Sequence, residues 1–228
     1  MTDPMTDPAT VPLTTPDRIR QALAPAHAVV ELTPFAQAMA GGRIGRAEYA
    51  AGLRQMGYLH AALESALAEA APRHPAVAAL YDPAKMDRTA SIARDLDALG
   101  ENAADAPATA AARMADAIAG WAVAKPWALL GALYVVEGSR MGSMVLARSV
   151  GKALGLDPRQ PGTGLDYHAD GLATRPPDWK RFRQALADWP LTETEAKDVC
   201  HAAVVTMDGM VEMYAALPVG SPVVALSV

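Results

Sequence analysis

A chain of 228 residues, 51% hydrophobic and 20% charged, is long and apolar enough to bury a globular core. Its formal charge of −5 and pI near 5.5 argue against a nucleic-acid binder, and a single cysteine, Cys200, excludes an internal disulfide and a multi-cysteine zinc or iron–sulfur site. No run reaches the roughly 20 apolar residues that span a bilayer, and the acidic, proline-rich N-terminus is neither a secretory signal nor a basic transit peptide, so a cytoplasmic protein is expected.

Alanine, leucine, valine and methionine dominate the apolar content, whereas aromatics reach only 5%, and alanine, leucine and methionine are good helix formers. Residues 1–15 repeat Met-Thr-Asp-Pro and are expected to be a disordered lead-in to one domain over 16–228. Thr15-Pro16 predicts a capped helix start with proline at the first helical position. That helix runs past Leu23 and Val30, with Pro25 expected to bend or interrupt it. Thr33-Pro34 repeats the start signal, and Gly41-Gly42 ends the second, short helix.

Leu53, Met56, Leu59, Leu63 and Leu67 recur at helical spacing and predict a long helix over 46–71. Two more helices are expected over 86–99 and 108–124, separated by a loop at 102–107. Pro126 opens another, which runs to about Leu154. Residues 155–176 concentrate glycine and proline and predict a long loop with little regular structure. Helices over 178–188 and 192–216 complete the series, and the tail from Leu217 is expected to pack as an extended strap. With no strand-like alternation and no repeat, the chain is predicted to be a single all-α domain.

Two features carry chemistry. His27 and Glu31 are four residues apart on one helical face. A metal-bound imidazole commonly gives its other N–H to a carboxylate, although the same spacing also fits an ordinary surface pair. Gly138 and Gly142 are likewise four apart, as are Ser139 and Ser143. Each glycine costs about 1 kcal/mol relative to alanine inside a helix. Their bare backbone suits close approach by a neighbouring helix or by a flat ligand, and leaves the helix free to bend.

The block Leu129-Leu-Gly-Ala-Leu-Tyr-Val-Val-Glu-Gly-Ser-Arg-Met-Gly-Ser-Met-Val-Leu146 resembles the distal-helix signature of bacterial biliverdin-forming heme oxygenases. His27-Ala-Val-Val-Glu31, with Phe35, Gly42 and Tyr49 after it, is similar to the proximal histidine region of that family. Tyr58-Leu-His-Ala-Ala-Leu-Glu64 resembles its next helix. The likeness runs from about residue 17 to 215.

The resemblance implies a single-domain helical bundle in which heme lies between a proximal helix and a kinked, glycine-containing distal helix. His27 would bind the iron, with Glu31 as its partner. Gly138, Ser139, Gly142 and Ser143 would form the distal face, and Arg20, Lys180 and Arg183 would hold the propionates. The implied reaction cleaves heme, both substrate and cofactor, to biliverdin, carbon monoxide and ferrous iron. It uses O2 and electrons from a separate reductase or ferredoxin. Iron acquisition and chromophore supply to a phytochrome are both compatible with that chemistry.

Three departures stand out. Ser143 replaces the second glycine of the family's Gly-Gly pair. Ser139, beside Glu137 and Arg140, stands where many members have a distal carboxylate, and Pro25 lies two residues before the ligand. Alternatives are a non-catalytic heme carrier of the same fold and a vestigial member that binds no heme. A di-iron carboxylate protein would need Glu-x-x-His motifs, and no Glu here has a His three residues later. The thiaminase-like branch would need Cys200 as nucleophile, with no clear base nearby. His60 and Glu64 are expected to be a core or network pair, and His74 and His201 structural or exposed; His168 stays unassigned.

Overall fold

The computed structural model describes residues 12–101 and 106–220, and no strand occurs among them. Most of the expected lead-in, the centre of the 102–107 loop and most of the C-terminal strap lie outside the described residues.

Helix α1 (Thr15–Leu32) is capped by Thr14, whose hydroxyl accepts from the Asp17 N–H, so the helix starts one residue earlier than expected. Pro25 does not interrupt it. Proline withholds an N–H from the carbonyl four residues back, and here both Pro25 and Gln21 are exposed, so water can satisfy that carbonyl. Helix α2 (Pro34–Ala40) has the expected Thr33 cap, and Gly42 beyond it takes a left-handed φ of 62°. Helix α3 (Arg46–Ala70) follows, with Leu53, Met56, Leu59, Leu63 and Leu67 all buried.

The expected helix over 86–99 is shorter. Two single-turn helices opened by prolines, α4 (Pro75–Leu80) and α5 (Pro83–Met86), precede α6 (Thr89–Ala98). Helix α7 (Thr109–Ala124) leads through a 3-10 turn (Pro126–Ala128) into α8 (Leu129–Leu154), which Gly155 ends at φ 69°. The glycine-rich stretch holds one short helix, α9 (Asp166–Ala169), and α10 (Arg175–Asp188) starts before the expected position. Helix α11 (Glu193–Ala216) begins with a capping box between Thr192 and Glu195.

Helix α11 is the spine, with α1, α7 and α8 packed along it and α3 bridging α6 and α7. The first half of α8 is buried on all sides from Leu129 to Glu137, and an exposed stripe opens beyond Gly138. Gly131 makes the α8–α11 approach possible. A Cβ there would stand 2.1 Å from the Val199 carbonyl oxygen and 2.8 Å from the Ala203 nitrogen, both backbone atoms. Gly131→Ala is therefore expected to destabilise the protein by about 3 kcal/mol, despite alanine's better helix propensity. Urea denaturation checks this, and an unchanged midpoint would contradict the packing.

Two meeting points frame a gap between α1 and α8. The Tyr134 hydroxyl on α8 reaches the Pro16 carbonyl at 3.4 Å. At the other end, a Cβ on Gly42, just past α2, would lie 3.2 Å from the Ser149 carbonyl of α8. Helices α1 and α11 run in the same direction, since Arg18 pairs with Glu193 at their starts while Phe35, just past α1, packs on Tyr214 near the end of α11. Helices α1 and α8 thus both rest on α11, and the space these three helices bound is the candidate cleft.

Candidate functional site

The stripe of α1 that begins with Pro16 and Arg20 beside Tyr134 continues through His27 and Glu31, because these positions recur at helical spacing. It flanks the buried Ile19 and Leu23, so His27 stands at the edge of the α11 contact, on the side of α1 that carries Arg20. The His27 side chain is 59% exposed, and its Nδ1 lies 3.5 Å from Glu31 Oε1. That arrangement turns one ring nitrogen to a carboxylate and leaves Nε2 unengaged, as an axial metal ligand requires.

On the other helix Gly138, Gly142 and Val145 share the open face of α8. A Cβ on Gly142 would meet nothing within 4 Å, whereas one on Gly138 would lie 3.4 Å from the Trp179 ring. The glycine pair therefore divides into a position facing open space and one that receives an aromatic side chain. Trp179 packs edge-on against Tyr134 at 4.9 Å and stacks on Phe182 at 5.9 Å. Sequence reasoning missed Trp179, although three aromatics this close are conspicuous in so aromatic-poor a chain.

Arg20 and Arg183 meet at Asp17. Both lie 3.7 Å from the same oxygen of Asp17, and Arg183 also sits 6.0 Å above the Trp179 ring. Burial raises the Tyr134 phenol above its ordinary range, against the opposing pull of Arg183 and Arg20. Two cations thus share one carboxylate, and the buried Nε of Arg183 has no partner. This end of the cleft suits an anionic group. Lys180 is exposed on α10 and takes no part in the cluster.

The two serines differ. Ser139 is half-buried and donates to the Val136 carbonyl at 2.8 Å. Ser143 is turned into the core, where its Oγ lies 3.0 Å from His168 Nδ1. Glu137 and Arg140 also point inward and pair at 2.7 Å, both buried, with Arg88 nearby. Burial raises the Glu137 carboxyl against the pull of those two arginines.

His60 is a buried network residue, 3.2 Å from the Tyr167 hydroxyl and 3.5 Å from Glu64. Burial tends to raise Glu64, yet hydrogen bonds from His60, Arg88 and Thr89 hold it below the ordinary carboxylate range. Among the described residues no group of three His, Cys, Asp or Glu side chains converges to hold a metal. Burial raises the Cys200 thiol, which is the opposite of an activated nucleophile.

Burial, helped by Arg175, pushes the His168 imidazole down to about 3, with the Tyr49 and Tyr167 rings packed against it. It is neutral when folded and titrates near 6.5 when unfolded. Between those values the unfolded chain binds the extra proton, so this group's contribution to stability is present above pH 6.5 and lost as pH falls towards 3. The stability advantage of wild type over His168→Asn should narrow across that window, by at most about 1.4 kcal/mol per pH unit. Denaturation at several pH values measures it, and a constant difference would contradict a buried neutral histidine.

A family model described as heme oxygenase matches residues 14–213. A search of curated proteins finds no match. Among solved structures, the fold is similar to heme oxygenase-1 of the cyanobacterium Synechocystis in complex with heme. The TM-score is 0.78 at 19% identity, covering 89% of this chain and 91% of that one. Heme oxygenase-2 of Synechocystis in complex with heme and NO gives 0.79 at 23% identity, over 89% and 84%. The heme oxygenase of Leptospira interrogans gives 0.79 at 17%, over 89% and 99%.

Proposed function

The chain belongs to the heme oxygenase family, and from that premise we propose that it binds heme in the α1–α8 cleft and degrades it to biliverdin, carbon monoxide and ferrous iron. The observation that carries this reading is the alignment of His27 with Arg20 on one stripe of α1, across from the bare backbone of Gly142.

The residues fit the group on three counts. His27 offers a free ring nitrogen and has Glu31 to orient it. Gly142 leaves room for a flat macrocycle. Arg20 and Arg183 supply more positive charge than Asp17 offsets, together with an unpartnered buried N–H, and so would hold the propionates. Lys180, exposed on the same helix as Arg183, would join them.

When bound, heme supplies the redox iron and is itself the substrate that is opened. The chain's own work is positional. Glu31 holds the imidazole of His27, Gly142 brings backbone rather than side chain to the distal side, where α8 bends in this reading, and Gly138 makes room for the Trp179 ring beside it. The Ser139 hydroxyl, donating to Val136, keeps acceptor capacity for an ordered water. O2 and an external donor, a reductase or ferredoxin, complete the reaction in a cytoplasmic setting, with a phytochrome as one acceptor of the product.

A second reading, a heme carrier, draws on one observation: no carboxylate lies on the open face of α8, because Glu137 is turned inward. Adding ascorbate in air to hemin-loaded protein separates the two. The enzyme reading predicts decay of the Soret band with about one carbon monoxide released per hemin. A Soret band that survives, with no carbon monoxide, leaves the carrier.

A further inference from the structure

The segment between α8 and α10 has little regular structure, yet Asp166 and His168 are buried there, as is Arg175, the first residue of α10. Side-chain to backbone bonds hold it. Asp95 of α6, itself fully buried, accepts from the N–H groups of Asp166 at 2.7 Å and Tyr167 at 2.8 Å. Asp166 in turn accepts from the Gly162 N–H at 2.8 Å and from Arg94 at 3.0 Å.

From this anchored segment His168, and from the start of α10 Arg175, reach the same turn of α8. His168 Nδ1 is 3.0 Å from Ser143 Oγ. Arg175 donates through Nη1 to the Arg140 carbonyl at 2.8 Å and to the His168 carbonyl at 3.2 Å, while its Nη2 donates to the Asp170 carbonyl. A side chain bonded to a mid-helix carbonyl competes with the helix's own ladder and is a recognised cause of local bending. The gripped turn, Arg140–Ser143, overlaps the glycine pair.

Gly138 and Gly142 have no side chains with which to anchor their own backbone. Their placement in the cleft must be set from behind, and the two contacts above lie behind them. We propose that His168 and Arg175 are positioning residues that clamp the Arg140–Ser143 turn and thereby fix Gly138 and Gly142 in the cleft. Ser143 is then the socket of the clamp, which explains a hydroxyl where the family resemblance leads one to expect glycine. The relevance to heme rests on the function proposed above; the clamp itself does not.

The test uses full-length protein and its Ser143→Ala, Ser143→Thr and His168→Asn variants. In apoprotein, hydrogen exchange of the 140–147 amides should accelerate about tenfold in Ser143→Ala while α3 and α11 keep wild-type protection. In hemin-loaded protein the pH midpoint of the ferric absorption spectrum should move by about half a unit, because the distal backbone has shifted. Ser143→Thr, which keeps the hydroxyl, and His168→Asn, which keeps a polar atom at the Nδ1 edge, should recover most of both effects. Unchanged local exchange, or uniform acceleration throughout the chain, would overturn the clamp. Accelerated exchange with a wild-type spectrum would overturn its positioning role. Wild-type protein that takes up no hemin would sink the proposed function, while the exchange measurement still decides the clamp.

Discussion

Replacing His27 with alanine is expected to abolish the histidine-ligated Soret band and to weaken hemin binding by more than about 100-fold, beyond the usual effect of removing an outer-shell partner. Folding should be spared. The imidazole is largely exposed, its described contact is the 3.5 Å approach to Glu31, and alanine is the better helix former. The apoprotein should therefore melt at or slightly above the wild-type temperature. Glu31→Gln should have a smaller effect of the same sign, since it leaves the ligand in place and loosens its orientation. Circular dichroism melts beside a hemin titration separate the two consequences, and parallel loss of both would mark His27 as structural.

Gly142→Leu is expected to do the reverse of Gly131→Ala. The Gly142 position opens on space, so leucine there should stabilise the helix by up to about 1 kcal/mol. The same side chain would occupy the distal side of the cleft. Hemin affinity should fall by about tenfold or more, since overpacking typically costs about 1–3 kcal/mol. A variant that melts higher yet binds hemin poorly identifies the open face of α8 as a ligand surface. If Gly142→Leu binds hemin as wild type does, the ligand lies elsewhere.

Gly138 and Gly142 show how much of the candidate site is legible in the sequence. Their spacing on one helix was readable, and so was the His27–Glu31 pair, because both depend on helical geometry alone. Which glycine meets a neighbour and which meets open space depends on α10 and Trp179, far along the chain. The serine pair shows the same limit. Spacing places Ser139 and Ser143 on one stripe, but the core side of that stripe is decided by His168, in a segment whose glycines and prolines give no periodic signal. Arg20 and Arg183 were readable as cations; that they share Asp17 was not.

The fold was more accessible. Thr33-Pro34 and the apolar spacing of α3 act through neighbours a few residues away, and both elements they predict are present. Pro25 does not interrupt α1, because the cost of an interior proline depends on whether the stranded carbonyl reaches water, which is a matter of burial. The 155–176 segment is expected to have little regular structure, and Asp95 and Arg175 organise it through bonds to its backbone, a mode of order without sequence periodicity.

The most direct test of the central claim, that the α1–α8 cleft binds heme through His27, is a hemin titration of wild type and His27→Ala followed in the Soret region. The account predicts saturation at one hemin per chain in wild type and no comparable band in the variant. Identical titrations, or no saturable band in either, would contradict it.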